Sequence, residues 1–128
     1  MPRVISLQSR YDFKTTISRL KDPFGARGIS VFADIDQRAA AKQAGTTLRP
    51  TQLTPFGNPN ASTPVMAANP HAALELPLRA VVREDEQHAV HLDYQDVTAM
   101  LGQYGIASAL FAPLKQMSVL LRQVVGQE

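Results

Sequence analysis

Two short runs in the second half of the chain constrain its fold more than any other feature. Residues 78–83 and 89–94 are apolar enough to be strands, and in the second run Val90, Leu92 and Tyr94 alternate with Ala89, His91 and Asp93. A period of two puts the first three side chains on one face and the last three on the other. Only Glu84-Asp85-Glu86-Gln87 and His88 separate the runs, and the acidic stretch reads as a solvated link. The pair is therefore expected to form an antiparallel hairpin with one apolar face.

Upstream of the hairpin, strands and helices alternate. Val4, Ile5 and Leu7 predict a strand over residues 3–8. Asp12 or Ser9 can then accept hydrogen bonds from the free N–H groups of a helix whose apolar residues, Phe13, Ile17, Leu20 and Phe24, recur at helical spacing. Pro23 interrupts this pattern, so the helix is expected to end near Lys21 or to kink there. Gly28 closes the segment and residues 29–33 read as a second strand. Asp36 caps a short helix over residues 37–44, which Gly45 stops. Residues 51–56 form a third strand, followed by the turn Gly57-Asn58-Pro59-Asn60. Thr63 with Pro64 opens a brief helix through Met66 and Ala68, in the order cap then proline.

Downstream, Asp96 caps a helix that ends at Gly105. A last helix is expected to begin near Pro113, with Leu114, Met117, Leu121 and Val124 as its apolar stripe and Leu110 and Leu120 widening it. Strands separated by helices early and paired directly later predict an α+β fold. It is expected as one domain over residues 1–128: a single antiparallel or mixed sheet of four to five strands with helices packed on one face.

The composition narrows the chemistry. There is no cysteine, which removes disulfides, thiolate metal sites and thiol nucleophiles together. Tryptophan is absent as well, so the core is mostly aliphatic. The N-terminus has no apolar stretch long enough for a signal-peptide core, and the most apolar segment, residues 106–114, is broken by Ser108 and Pro113. A cytoplasmic protein with no membrane association is expected, which leaves Asn60-Ala61-Ser62 as a chance match to a glycosylation site. The net charge of +2 is too small to argue for nucleic acid. Residues 1–50 nevertheless hold nine of the thirteen basic side chains and four of the eleven acidic ones. Such asymmetry fits an anion-binding face or complementary self-association, and equally a scatter of solvated charges.

Catalytic signatures are missing from the sequence. It has no phosphate-cradling glycine loop, no dinucleotide fingerprint and no serine at a nucleophile elbow. His88 and His91 are three apart in an extended segment and so point to opposite faces, which keeps them from closing on one metal ion. His71, after Asn69-Pro70, is expected in a polar turn. Asp34 and Asp36 could share a face as an acid/base or cation pair, but capping alone accounts for Asp36. The densest stretch is residues 48–66, where a strand runs into Phe56-Gly57-Asn58-Pro59 and then a capped helix. Backbone N–H groups at such a turn can hold an anion, although turns of this composition are also purely structural.

Lys42, Gly45, Leu48-Arg49-Pro50, Phe56-Gly57-Asn58-Pro59, Thr63-Pro64-x-Met66, Leu76-Pro77-Leu78 and Tyr94 resemble, in order and without gaps from Phe13 to Tyr94, the signature of the domain of unknown function 302 family. The resemblance implies a compact α+β fold with one antiparallel sheet backed by helices, often self-associating, and supplies no activity. Ser62 and His88 stand where that pattern has glycine, and Pro23 departs from it within the first helix.

These readings lead to an uncharacterised bacterial-type protein that binds a small polar or anionic ligand reversibly. The candidate ligand set is Gly57 and Asn58 at the turn, Arg49 and Lys42 as cations, and Asp36 and Tyr94. Gly57 allows close approach, Asn58 offers donors and an acceptor, and the helix start near Thr63 adds partial positive charge. No cofactor or metal is expected, and catalysis is not. The alternatives are a structural protein acting through a homodimer surface, and an enzyme whose acid/base site the fold assembles from Asp, His, Lys and Tyr side chains.

Overall fold

The computed structural model describes residues 3–26 and 28–127, without the side chains of residues 23–26. The expected packing of Phe24 lies outside the described residues. Among those described, the strands are β1 (Val4–Gln8), β2 (Ser30–Val31), β3 (Ile35–Asp36), β4 (Thr51–Gly57), β5 (Leu78–Glu84) and β6 (Val90–Gln95). The helices are α1 (Phe13–Ala26), α2 (Gln37–Gln43), α3 (Pro59–Ala68), α4 (Val97–Gly102), α5 (Ser108–Lys115) and α6 (Met117–Val124), with a 3-10 segment over Pro70–Glu75.

Every pairing is antiparallel. The order is β1-β6-β5-β4, and β2 and β3 share the far edge of β4. The α+β class holds, but the strand count is six rather than four to five. The strand expected over 29–33 is shortened to Ser30–Val31, and beyond it Asp34 turns its carboxylate to Lys21, Gln52 and Thr54. The chain then rejoins β4 as β3, and Asp36 closes that strand by accepting the Ala39 N–H at 2.9 Å as the cap of α2.

One face of the sheet is the core. Leu7, Leu92 and Val82 form one cross-strand row, Ile5, Tyr94, Ala80 and Thr54 a second, and Leu78 meets Phe56 beyond them. Leu20, Val65, Met100, Leu101, Phe111, Leu114 and Leu121 pack against these rows from the helices. The opposite face carries Ser6, Asp93, Val81, Leu53 and Ile35 in one row, and Gln8, His91, Arg83 and Thr51 in another. Val4 on that face is 59% exposed and Ile35 is 39% exposed.

Three helix assignments differ from expectation. α1 continues past Pro23 to Ala26 instead of ending near Lys21. α3 begins at Pro59, five residues before Pro64, because Asn58 supplies the cap: its Oδ1 accepts the Asn60 N–H at 3.0 Å. The C-terminal region is two helices joined at Gln116, with Pro113 inside α5 rather than at a helix start. A proline there leaves the carbonyl one turn back without its donor, and α5 ends within three residues. Leu110 is 39% exposed and so does not widen the stripe; Phe111, 2% exposed, fills that place.

The hairpin link is an organised turn rather than a loose solvated connection. The Asp85 N–H donates to the Ala89 carbonyl at 2.8 Å, and Asp85 Oδ1 accepts from the Gln87 and Ala89 N–H groups, each at 2.9 Å. Its Oδ2 lies 2.7 Å from His91 Nε2. His88 completes the turn at φ 65°, the left-handed region that favours glycine. This explains why glycine is the residue expected at that position.

α6 is fastened at its C-terminal end. Arg19 of α1 donates from Nε to the Val124 carbonyl at 2.8 Å and from Nη2 to the Gln123 carbonyl at 3.0 Å, with its guanidinium 4.1 Å from the Tyr11 ring centroid. A cation at free helix carbonyls satisfies them and complements the dipole. Gly126 follows at φ 90°, where an added Cβ would lie 2.9 Å from Arg10 Cδ.

Candidate functional site

The Tyr94 phenol lies on the interior strand β6 and is 9% exposed. Its neighbour across β5 is Ala80, the smallest side chain in its row. A cavity of about 440 Å³ opens beside Tyr94, lined by Ile5, Phe56, Leu78, Met100 and Leu121 and also by Val4, Leu53 and Val81 of the outer rows. That volume lies within the range of small-molecule sites.

Its polar end is built by α5 and α6. Lys115, Ser118 and Arg122 line the cavity beside Tyr94. Arg122 lies near the phenol, close enough for its positive charge to act on it. Burial pushes the Tyr94 phenol up; the Arg122 charge opposes this and Asp96 reinforces it, so the group is a neutral hydroxyl at physiological pH. Asp93 and Asp96 also border the cavity, but both carboxylates are engaged. Asp93 accepts from Ser6 Oγ at 2.6 Å and Arg83 Nε at 2.7 Å, and Asp96 caps α4 through the Thr98 N–H at 3.1 Å. Arg79 and Gln95 line the cavity as well, the latter with a buried, unpartnered Oε1, so three cations face two carboxylates and one free acceptor; the excess of positive charge suits an anionic group set on an apolar body.

A second cavity of about 430 Å³ adjoins the first, sharing Phe56, Leu78 and Met117 with it. Gly57 and Asn58 border it, together with Ile29, Ala61 and Leu120. Gly57 is buried, and a Cβ there would meet the Phe32 ring at 3.5 Å. The Asn58 carbonyl oxygen is occupied in capping α3.

The six residues expected to form one site are dispersed. Tyr94 lines the first cavity, and Gly57 and Asn58 the second. Asp36 caps α2 in a cleft with Phe13, Arg38 and Gln52, while Arg49 lies in a shallow depression with Arg38, Pro50, Glu84 and His88. Lys42 is exposed on the last turn of α2. His88 and His91 engage different carboxylates, Glu84 at 2.9 Å and Asp85 at 2.7 Å. Asp34 is held by Lys21 rather than paired with Asp36.

Arg122 and Lys115 are the members that the sequence did not single out. Lys115, Ser118 and Arg122 recur at steps of three and four, a spacing that aligns side chains along one helical face even across the break at Gln116. That polar ridge beside the apolar stripe was the available signal.

Three similarities to known proteins bear on this architecture. The chain is 32% identical over 114 residues to "Fluoride-specific ion channel FluC 1" of Brucella suis, covering 89% of this chain and 45% of that protein. The same-named protein of Brucella abortus matches equally, with 42% of its length covered. The chain thus spans less than half the length of these curated relatives. Among the described residues, no helix is long and apolar enough to cross a membrane. The fold matches the crystal structure of an uncharacterized conserved DUF302 protein from Bacillus stearothermophilus with a TM-score of 0.82, at 17% identity, covering 98% of this chain and 97% of that one. A model of the domain of unknown function DUF302 matches residues 5–124, nearly the whole chain, and the protein belongs to that family.

Proposed function

We propose that this protein reversibly binds a small organic anion, a carboxylate on an apolar body, in the cavity beside Tyr94. The observation that carries this reading is that the buried Tyr94 hydroxyl, Arg122 and Lys115 line the same cavity as Ile5, Phe56, Leu78, Met100 and Leu121. The hydroxyl can donate, and the two cations supply positive charge. Apolar walls supply affinity while a few placed polar groups fix orientation. The Gly57-Asn58 turn contributes through the adjoining cavity. Arg49, Lys42 and Asp36 do not border either cavity and are not needed.

The name of the Brucella relatives makes fluoride the second anion to test. Fluoride is far smaller than a cavity of about 440 Å³ and cannot use its apolar walls, so the reading favours an organic ligand. Calorimetry with a panel of monocarboxylates, the matching alcohols and fluoride tests it. Carboxylates should bind and alcohols should not. Tyr94→Phe and Arg122→Gln should each weaken binding roughly 10- to 100-fold, the scale of a hydrogen bond to a charged group. Unchanged affinity in both variants, or no binding by any carboxylate, would overturn the proposal.

A second reading, self-association through the outer sheet face, is favoured by how that face is charged. Arg83 is paired with Asp93 and Ser6, and His91 with Asp85, so its main polar groups are already satisfied within the chain. Ile35, together with Val4, Val81 and Leu53 (which also line the first cavity), gives apolar contact area that a second copy could cover about a two-fold axis.

A further inference from the structure

We infer that the ligand is an unbranched amphipathic carboxylate, of medium-chain fatty-acid type, whose tail passes Met117 into the second cavity. This rests on the binding reading above and extends it to a ligand class. The two cavities adjoin along three shared residues, Phe56, Leu78 and Met117. Phe56, 1% exposed, and Leu78, 6% exposed, pave the floor of both, and the half-buried Met117 side chain stands between them.

Met117 is suited to be a movable partition. Its unbranched thioether has several rotatable bonds and yields to a neighbour more readily than a branched side chain does. It sits at the first residue of α6, where Gln116 makes no side-chain cap, so the backbone there is not pinned by a capping bond.

The polarity of the compartments sets the orientation. Arg122 and Lys115 line only the first cavity, whereas Ile29, Ala61, Leu114 and Leu120 line only the second. A charged head therefore belongs at Tyr94 and Arg122, and the far compartment accepts alkyl chain. A compact aromatic or branched acid would fill the first cavity alone. A linear chain gains from both.

The test is calorimetric titration of the full chain with the straight-chain acids from hexanoate to dodecanoate, each below its micelle threshold. The parent protein should gain about fourfold in affinity per added methylene, the value of one buried CH₂, with no plateau at the short end. Ala61→Leu narrows only the second cavity, and Met117→Phe blocks the way into it. Both should leave hexanoate affinity within about twofold and abolish the gain for the longer acids. Short acids that bind with no gain for long ones would overturn this inference while leaving the carboxylate site intact. So would an unchanged series in Ala61→Leu, which remains decisive if Met117→Phe fails to fold. Absence of binding by every acid would sink both readings together.

Discussion

His88 holds a left-handed backbone at the hairpin turn, with φ at 65°. An L-residue there costs roughly 1–2 kcal/mol relative to its preferred regions. Glycine escapes this cost but loses more backbone freedom on folding, by about 0.5–1 kcal/mol relative to alanine. The comparison that isolates the backbone is His88→Gly against His88→Ala, since both remove the contact with Glu84. That contact is weak in any case, because the His88 side chain is 86% exposed. The glycine variant should be the more stable by about 0.5–1 kcal/mol, equivalent to roughly 2–5 °C in Tm for a chain of this size. Urea denaturation at pH 7, with both variants analysed at a common m-value, measures the difference. Equal stability, or alanine above glycine, would refute the left-handed assignment and with it the account of why glycine is expected at this position.

Leu121→Ala should cost about 2–5 kcal/mol in urea denaturation, because Leu121 is 1% exposed at the centre of the core; a change within about 0.5 kcal/mol would place that stripe outside it. The hydrogen bond from His91 is the largest influence on Asp85; desolvation opposes it, and the Ala89 and Gln87 N–H groups and the His91 charge add to it, so the carboxyl is held below its ordinary value. Partial burial pushes Asp34 up, but Lys21, Gln52 and Thr54 outweigh it and hold that carboxyl down. A lowered folded-state value means that the stabilisation is fully present above the unfolded value, near pH 4, and is lost as pH falls through the lowered one. Asp85→Asn should therefore flatten the acid limb of stability measured between about pH 5 and pH 2, and an unaltered limb would contradict the role given to Asp85. Sedimentation at tens of micromolar, where a specific interface should hold, should give a dimer, and Ile35→Lys on the outer face, 39% exposed and lining neither cavity, should return it to a monomer; a parent that is already monomeric would exclude that surface.

The parts of this fold that could be read from the sequence share one property: their signal is local. The alternation of Val90, Leu92 and Tyr94 already contains the burial of β6, and Asp36 and Asp96 each precede their helix as the acceptor it needs. The start of α3 was not legible because Asn58-Pro59 and Thr63-Pro64 carry the same cap-then-proline pattern. Neither local chemistry nor spacing chooses between them; tertiary packing does, by burying Val65 against the core in the middle of the helix. The cavity was hidden for a related reason. Tyr94 could be picked out, but its partner Arg122 comes from a helix that reads mainly as an apolar stripe, and only the folded chain brings the two together. The break between Ser30–Val31 and the separate strand Ile35–Asp36 likewise contains Asp34, which Lys21 reaches from α1.

The fastening of α6 at one end turns it into a lever. Arg19 and the crowded Gly126 clamp the helix where it finishes, while its start is held to α5 through Gln116 and a hydrogen bond from Ser118 Oγ to the Lys115 carbonyl at 3.0 Å. A rod clamped at one end moves most at the other. With a rise of 1.5 Å per residue, a tilt of about 10° around Val124 swings Met117 by about 2 Å, roughly the radius of a methyl group. Traffic past Met117 is then governed from the opposite end of the helix. Arg19 borders neither cavity, yet loosening its grip would alter how fast the cavities fill and empty before it altered how tightly they hold.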